Sequence, residues 1–261
     1  MVSRFRPLED FGFVAIRFVD DLGKLAFFTL QILFALVRPP LRVRPFVTEI
    51  FKLGVLSLVI ICVSGLAVGM VLGLQGYNTL VRFGAENSLG AVVGLSLIRE
   101  LGPVLTALLA TGRAGSATAA EIGTMVATEQ LDGLRMMSID PVHLVVTPKA
   151  TAMIAVMPLL SALFIVCGLF GGYAVGVGLM GLDGGTYMSS LQSAVDFRDD
   201  VLGSLLKALC FGILVGLIAT YRGYTSAPTS EGVSAATTST VVVASVSVLI
   251  FDYFITALWG V

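Results

Sequence analysis

Five long stretches almost without charged residues constrain this chain more than any other feature of its sequence. They cover residues 53–81, 87–112, 150–182, 201–221 and 237–259. The first and third contain no charged residue, and the others contain only Arg99 and Glu100, Lys207, and Asp252, respectively. A helix needs about 20 mainly apolar residues to cross the hydrocarbon core of a bilayer. The sequence therefore predicts an all-α integral membrane protein with five transmembrane helices.

The composition agrees with burial in lipid and excludes several other classes of protein. Charged residues make up 13% of the 261 residues, against about 25% in soluble domains, and hydrophobic residues make up 56%. One histidine and three scattered cysteines form no pattern of metal ligands or disulfides. Because the formal net charge is −1, the sequence predicts no nucleic-acid partner.

Residues 1–45 differ from the rest of the chain. An apolar run of 13 residues, 25–37, is too short to span a bilayer, and charged residues alternate with apolar ones just before it. That mixture predicts an amphipathic helix that lies in the membrane interface and ends at Pro39 and Pro40. We therefore divide a single domain, 1–261, into an interfacial helix region, 1–45, and a transmembrane bundle, 46–261.

Lysine and arginine residues are distributed unevenly between the two ends of the predicted spans. With the N-terminus inside, 12 of the 16 basic residues fall on the inner side, and three, Arg82, Arg198 and Lys207, fall on the outer side. Cytoplasmic loops of membrane proteins carry an excess of basic residues. The sequence therefore predicts a cytoplasmic N-terminus and, after five spans, a C-terminus on the opposite side.

The adjacent charges Arg99 and Glu100 lie near the middle of the second predicted span. A charge at the centre of a bilayer costs about 2.5 to 3.5 kcal/mol, so neither residue is expected to face lipid. One interpretation is that both line a polar cavity and contact a charged or zwitterionic headgroup. The other is that they form an interhelical ion pair, or that the span is shifted and both lie near an interface. Pro103 is expected to kink or open the helix nearby and to free backbone groups.

Glycines recur four residues apart in several predicted spans. The repeats are Gly65, Gly69 and Gly73; Gly90 and Gly94; Gly168, Gly172 and Gly176; and Gly212 and Gly216. Such repeats let two helix backbones approach closely in a membrane. They predict tight packing within one chain or between two copies, without identifying which helices meet.

The connection between the second and third spans is predicted to contain a short amphipathic helix that begins at Glu121. Polar side chains would share one face of it at spacings of three and four residues. They are Glu121, Thr124, Thr128, Asp132 and Arg135. The helix is expected to end at Asp140 and Pro141. The pattern fits both a docking element for a soluble partner and an interfacial linker.

No nucleotide-binding motif supports an enzymatic role for this chain. None of its lysines is followed by serine or threonine, so a Walker A motif is absent. We therefore predict no catalytic residue, metal or cofactor in this chain, and any ATP hydrolysis must come from another chain.

Several sequence motifs closely resemble those of the MlaE-type permeases. These permeases are the membrane subunits of ABC transporters that work with MCE proteins. The motifs are GMVLGLQGY at 69–77, SLIRELGP at 96–103, TGRAGS at 111–116, AEIGTM at 120–125 and ATEQLD at 127–132. The resemblance covers nearly the whole chain from residue 46 onward.

The resemblance implies a phospholipid permease in the inner membrane of double-membrane bacteria, which maintains the lipid asymmetry of the outer membrane. Family members form homodimers and bind two copies of a cytoplasmic ATPase, which carries ATP and Mg²⁺. They often bind a small STAS-domain protein and lie beneath a periplasmic hexamer of MCE subunits. The C-terminus is then expected in the periplasm.

The resemblance places Arg99 and Glu100 in the region of the substrate site, and the individual lipid contacts that follow are our own hypotheses. Arg99 and Glu100 are expected to line the lipid cavity, and Arg99 is expected to contact the lipid phosphate. Tyr77, Leu80 and Leu101 are expected to lie near the headgroup or the acyl chains.

The segment from Glu121 to Asp140 corresponds to the part of these permeases that contacts the ATPase. The resemblance therefore favours the docking interpretation of this segment. The expected coupling residues are Glu121, Thr124, Thr128, Glu129, Asp132 and Arg135.

Other functions compete with lipid transport. An ion- or proton-coupled secondary transporter could use Arg99, Glu100 and Asp252 as an ion path, although no inverted repeat is visible. An intramembrane hydrolase needs a nucleophile and a base at membrane depth, and the single histidine lies outside the predicted spans. A purely structural scaffold would tolerate the loss of the charge at Arg99.

Overall fold

The computed structural model describes residue 20 and residues 23–35 and 43–259. Within these residues the chain is mostly helical and contains no β-strand. The α-helices are α1 Gly23–Ala35, α2 Val43–Leu53, α3 Leu58–Leu80, α4 Leu89–Ser96, α5 Gly102–Ala110, α6 Ser116–Ala127, α7 Gln130–Met136, α8 Thr147–Gly176, α9 Gly184–Ala194, α10 Leu202–Tyr224 and α11 Ser230–Trp259. Short 3-10 or π-helical turns join several of them.

Among the described residues, five continuous helical runs are long and apolar enough to cross a membrane, which confirms the predicted number of spans. We call them spans 1 to 5. They are Arg44–Phe83, Glu86–Ala127, Val142–Gly176, Phe197–Tyr224 and Ser230–Leu258. Span 2 continues well past the end predicted at residue 112, because Arg113 and Glu121 beyond that point are hydrogen-bonded to other parts of the protein.

Two connections define the ends of the bundle. We call the end at which α7 connects spans 2 and 3 the α7 end. The opposite end, at which α9 connects spans 3 and 4, is the α9 end.

Helix α1 lies against span 4 near the α7 end. The buried ring of Phe28 contacts the rings of Tyr221 and Tyr224 on α10, with centroid distances of 5.5 and 5.4 Å. Phe27 and Phe34 on the other side of α1 are largely exposed. A helix is therefore present in the predicted region, and its amphipathic character and its location in a membrane interface stay predictions. The two prolines expected to end it lie outside the described residues.

The glycine repeat of α3 packs against the glycine repeat of α8 within this chain. A Cβ atom on Gly69 would overlap the carbonyl group of Gly168, and one on Gly73 would lie 3.0 Å from the carbonyl oxygen of Gly172. The two helices therefore touch backbone to backbone, which confirms the predicted tight packing. The partner of this repeat is a helix of the same chain rather than a second copy.

Helix α8 lies at the centre of the bundle, because α3 packs on one side of it and α10 on another. On the α10 side, a Cβ atom on Gly212 would lie 3.0 Å from the Cβ of Met157. One on Gly216 would lie 3.1 Å from the carbonyl oxygen of Ala150. The fully buried ring of Phe211 belongs to the same apolar core as Met157. Spans 1, 3 and 4 thus form the closely packed centre of the fold.

The segment predicted to hold one helix from Glu121 to Asp140 is divided between two helices, so the prediction of a single helix there is wrong. Glu121 lies in α6, which continues span 2 as far as Ala127, and α7 is separate. Between them Glu129 has a left-handed backbone, with φ of 58°. The hydroxyl of Thr128 donates to the carbonyl oxygen of Thr124 at 2.8 Å. Such side-chain bonds compete with the helical ladder and are typical of helix ends.

The boundary predicted at Asp140 and Pro141 is the start of the next helix. Helix α7 already ends at Met136, and the backbone N–H of Val142 donates to Asp140 Oδ1 at 2.9 Å. A carboxylate at this position caps the free N–H groups of a helix start. Proline suits the first helical turn because its missing N–H would have no partner there.

Candidate functional site

Six polar side chains from three spans meet in the part of the bundle nearer the α9 end, and we call them the charged cluster. They are Arg99 and Glu100 on span 2, Asp200 and Lys207 on span 4, and Asp252 and Thr256 on span 5. The cluster joins three segments that are far apart in the sequence.

Lys207 is the centre of the charged cluster. Its Nζ lies 2.7 Å from Glu100 Oε2 and 2.6 Å from Asp252 Oδ1, and it donates to Thr256 Oγ1 at 2.8 Å. The Thr256 hydroxyl in turn donates to Glu100 Oε1 at 3.1 Å. Only 6% of the Lys207 side chain is exposed, and burying an ammonium group is unfavourable without such partners. Lys207 therefore ties spans 2, 4 and 5 together.

The backbone around Arg99 departs from the α-helix. Residues Leu97–Leu101 form a π-helical turn, and Pro103 follows in the first turn of α5. Because Pro103 has no N–H, it cannot bond to the carbonyl of Arg99 four residues earlier. That carbonyl oxygen accepts a hydrogen bond from Lys207 Nζ at 3.3 Å. The predicted opening of the helix is thus confirmed, and it contributes a backbone oxygen to the charged cluster.

Asp200 holds Arg99 in place. Arg99 Nε donates to Asp200 Oδ1 at 2.7 Å, and Asp200 Oδ2 accepts the backbone N–H of Asp196 at 2.7 Å. The Asp200 side chain is 2% exposed, whereas that of Arg99 is 39% exposed. Arg99 therefore presents an accessible positive charge, and Asp200 is its buried partner.

A small polar cavity of about 40 Å³ lies beside the charged cluster. Arg99, Glu100, Lys207, Asp199 and Ser204 contribute to its lining. A cavity of this size has room for water and is too small for a lipid headgroup. The interpretation of Arg99 and Glu100 as interhelical ion-pair residues is therefore confirmed, and their contact with a headgroup stays a prediction. The two residues form interhelical ion pairs, and they also line a polar cavity.

The depth of the charged cluster agrees with an intramembrane position. Lys207 lies ten residues from the start of span 4, and Asp252 lies six residues from the end of span 5. At about 1.5 Å per residue these separations are about 15 and 9 Å along the helices. The hydrocarbon core of a bilayer is about 30 Å thick. The spans therefore have room to place the cluster inside the apolar layer, on the side of the α9 end.

The three apolar residues expected near the lipid do not line the cavity beside Arg99. Leu80 lines a separate groove of about 270 Å³ between α3 and α4, together with Gln75 and Ser96. Tyr77 and Leu101 are partly buried and pack against the apolar core between α3 and α8. Their contact with lipid stays a prediction.

The coupling residues expected on α6 differ in their surroundings. Glu121 Oε2 accepts a hydrogen bond from Lys149 at 2.7 Å, and its Oε1 accepts one from Lys52 at 3.2 Å. Thr124 and Thr128 are exposed near the end of α6. Glu121 is therefore committed to contacts inside this chain, and the exposed surface begins beyond it.

The coupling residues expected on and next to α7 are exposed. Glu129 precedes α7, and Asp132 and Arg135 lie within it. Arg135 Nη1 donates to Asp132 Oδ1 at 2.7 Å, and Nη2 donates to the Tyr224 hydroxyl at 2.6 Å. The bond to Tyr224 raises the pKa of Arg135. These contacts hold α7 against the end of span 4.

The sequence prediction missed four residues that the structure makes prominent. Asp200 and Lys207 complete the charged cluster, and the signal for Lys207 was its place as the single charge in the fourth apolar stretch. Met136 and Met137 at the end of α7 are 90% and 64% exposed. Two large, exposed apolar side chains next to each other on the surface are the kind of feature that marks a contact with another molecule.

Comparison with known protein families decides what kind of protein carries these two regions. The family model described as Permease MlaE matches residues 46–258, which include the charged cluster and α7. The chain belongs to the MlaE permease family. Membership of the MlaE family does not favour the alternative of an ion- or proton-coupled secondary transporter.

Relatives in several organisms match the chain over most of its length. The intermembrane phospholipid transport system permease protein MlaE of Haemophilus influenzae is 49% identical over 95% of this chain and 95% of its own length. A probable ABC transporter permease protein of Rickettsia bellii is 41% identical, with 94% of each chain covered. The chloroplast protein TRIGALACTOSYLDIACYLGLYCEROL 1 of Arabidopsis thaliana is 29% identical over 87% of this chain and 65% of its own length.

Proposed function

We propose that this chain is the membrane-spanning subunit of an ABC transporter that moves phospholipids between the inner membrane and a periplasmic MCE protein. The similarity to the phospholipid transport permease of Haemophilus influenzae supports the substrate class. The observation that carries the proposal is the charged cluster, because it offers Arg99 and Glu100 to a ligand at membrane depth. Transport of this kind maintains the lipid asymmetry of the outer membrane.

In this proposal Arg99 binds the lipid phosphate. Its side chain is 39% exposed, so it can exchange one oxyanion partner for another. A phosphate would compete with Asp200 for the guanidinium, and charge-assisted bonds of this kind are strong. Glu100, 41% exposed, would accept the ammonium group of a zwitterionic headgroup. The phosphate and the ammonium would then replace contacts that these residues now make within the charged cluster.

The cavity of about 40 Å³ is too small to admit a headgroup. Spans 2, 4 and 5 would have to separate around the charged cluster to admit a headgroup. A transporter is driven by a difference in affinity between its two states, since a ligand that binds both equally shifts neither. Breaking the bond between Arg99 and Asp200 in the open state would supply such a difference.

ATP hydrolysis would take place on a separate cytoplasmic ATPase subunit that holds ATP and Mg²⁺, so the chain itself would be a non-catalytic permease. The α7 end would face the cytoplasm and dock that subunit through α7 and the neighbouring residues. Asp132, Arg135 and Met136 are exposed there and support this assignment. Nucleotide-driven closure of two ATPases would push α7 and rock the permease between its states.

The complete assembly proposed for this chain follows its family resemblance. Two copies of the chain would form a homodimer with two ATPases and a small STAS-domain protein. A periplasmic hexamer of MCE subunits would cover the α9 end. The excess of basic residues supports a cytoplasmic N-terminus and a periplasmic C-terminus in the inner membrane.

Substitution of Arg99 tests the headgroup assignment. The complex would be purified with its ATPase, reconstituted in vesicles that contain fluorescent phospholipid, and assayed for ATP-dependent transfer to the MCE subunit. Arg99→Glu is expected to reduce transfer about 10- to 100-fold, because a charge-assisted bond contributes about 1.5 to 3 kcal/mol. Arg82→Glu, an exposed arginine outside the cluster, is the matched control. Unchanged transfer by an intact Arg99→Glu complex would refute the headgroup role.

A further inference from the structure

Four charged side chains at the α7 end join three spans, and we call them the ion network. They are Glu49 and Lys52 on α2, Glu121 on α6 and Lys149 at the start of α8. Lys149 Nζ donates to Glu121 Oε2 at 2.7 Å and to Glu49 Oε1 at 3.0 Å. Lys52 Nζ lies 3.2 Å from Glu121 Oε1 and 3.6 Å from Glu49 Oε1. Each carboxylate is therefore shared between the two lysines.

Lys149 is the buried member of the ion network. Its side chain is 4% exposed and that of Glu49 is 12% exposed, whereas Glu121 and Lys52 are 39% and 46% exposed. A buried ammonium is stable only while its anionic partners remain in place. Separation of α6 from α2 and α8 would leave the buried Lys149 ammonium without its partners and is therefore unfavourable. An apolar contact, in contrast, can slide without leaving a charge unpaired.

Arg113 strengthens the connection between spans 1 and 2 next to the ion network. Its Nη1 donates to the carbonyl oxygen of Lys52 at 3.1 Å and to Ser57 Oγ at 2.7 Å. These two acceptors lie on either side of the break between α2 and α3, close to Gly54. Span 2 therefore contacts α2 through the ion pair between Glu121 and Lys52. Through Arg113 it also binds both sides of the break between α2 and α3.

The ion network lies between the surface that would dock the ATPase and the rest of span 1. Helix α6 carries Glu121 and ends a few residues before α7, whose side chains are exposed. Helix α2 leads into α3, which packs backbone to backbone on α8. A displacement of α7 would reach α6 directly because α7 follows α6 in the chain. One route from α6 to span 1 leads to α2, and the ion network joins the two helices on that route.

We propose that Lys149 is a positioning residue that transmits movement of α6 and α7 to α2, so that span 1 follows span 2 when the transporter changes state. The proposal rests on the proposed function of an ATP-driven permease. The shared glutamates make the transmission nearly all-or-none, since packed charged interfaces tend to have discrete arrangements rather than continuous ones. Lys149 has no part in binding the lipid, because it is at the opposite end of the bundle from the charged cluster.

The first test measures phospholipid transferred per ATP hydrolysed by the full complex in vesicles of phosphatidylethanolamine and phosphatidylglycerol. For Lys149→Met we expect that ratio to fall about tenfold, within the usual range of coupling between sites, while ATPase activity and co-purification of the ATPase persist. Lys149→Arg should restore the ratio because it keeps the charge. Lys24→Met is the matched control, since Lys24 on α1 forms an exposed ion pair with Asp20.

The two activities also reveal a merely structural role. If Lys149→Met leaves the ratio of phospholipid transferred to ATP hydrolysed unchanged, the proposal is wrong. A fall of both activities in the same proportion is such a case, and it would indicate a structural role. Should Lys149→Met fail to fold, Glu49→Gln removes one partner and leaves the bond between Lys149 and Glu121. A reduced ratio is expected for that variant as well, and an unchanged ratio would count against the transmission.

A second readout needs no lipid and separates this proposal from the proposed function. Spin labels would be attached at exposed Thr48 on α2 and at exposed Ser138 after α7, each paired with a label at Leu179 near the α9 end, with the native cysteines replaced by alanine. On vanadate trapping of the ATPase we expect both distances to change in the wild type. In Lys149→Met only the Ser138 distance should change. A Thr48 distance that still changes in Lys149→Met would overturn the transmission, whether or not the complex moves phospholipid.

Discussion

Replacing Lys207 with methionine is the sharpest test of the charged cluster. Methionine preserves the length and most of the volume of the side chain, but it removes the ammonium group that contacts Glu100, Asp252 and Thr256. It also leaves the carbonyl oxygen of Arg99 without its bond to Lys207. Two carboxylates would then face each other at the same place without a cation between them.

The magnitude follows from the exposure of the two carboxylates. Glu100 is 41% exposed, so solvent screens its pair with Lys207, and that pair contributes little. Asp252 is 20% exposed and Lys207 is 6% exposed, so their pair is a buried one. Removing one partner of a buried pair lowers the free energy of unfolding by about 3 to 5 kcal/mol. Because Asp252 is partly exposed, we expect a loss of about 3 kcal/mol. For a chain of this size that loss lowers Tm by about 6 to 12 °C.

The assay is the loss of helical circular dichroism on heating the purified chain in a mild detergent. The double variant Lys207→Met and Asp252→Asn should recover about half of the lost stability, because the stranded charge is removed with its partner. Lys24→Met, which breaks an exposed pair, should change Tm by no more than about 2 °C. A Tm for Lys207→Met within that same range of the wild type would refute the reasoning.

Two further predictions concern packing and docking. Gly65→Ala places a Cβ atom 2.7 Å from the carbonyl oxygen of Phe164 and should destabilise the chain by about 1 to 3 kcal/mol in the same melting assay. Gly133→Ala, which meets no atom within 4 Å, should not, and equal melting of the two variants would contradict the packing described for α3 and α8. Met136→Asp should weaken binding of the ATPase about tenfold or more in a pull-down titration, because burial of a methionine contributes about 1.5 to 3 kcal/mol. Met188→Asp on α9 is its control, and equal binding by both variants would argue against Met136 as a docking residue.

The amphipathic pattern of α6 and α7 shows how far sequence reasoning reached at the α7 end. Helical spacing placed Glu121 on a polar face, which fitted both a docking element and an interfacial linker, and the family resemblance favoured docking. In the structure, Lys149 and Lys52 occupy that face from other helices. Spacing along one helix gives the direction of a side chain relative to its own axis only. It therefore could not show that another part of the chain already covers Glu121.

The glycine repeats gave a similar partial result. The spacing of Gly65, Gly69 and Gly73 predicted a face without side chains, and that face exists. Its partner is α8, about a hundred residues later in the chain, and nothing in the repeat itself distinguishes α8 from a second copy. The identity of the partner depends on how the whole bundle packs.

The sequence by itself determined the number of spans and the positions at which a charge is costly. Both follow from the energy of moving single residues out of water, which depends on residue type and local neighbours. Only the tertiary structure decided that Arg99 pairs with Asp200, that Lys207 serves both Glu100 and Asp252, and that Lys149 lies between two glutamates. The reason is physical: the penalty for burying a charge belongs to one residue, whereas its compensation requires a partner that helix packing brings from a distant part of the chain.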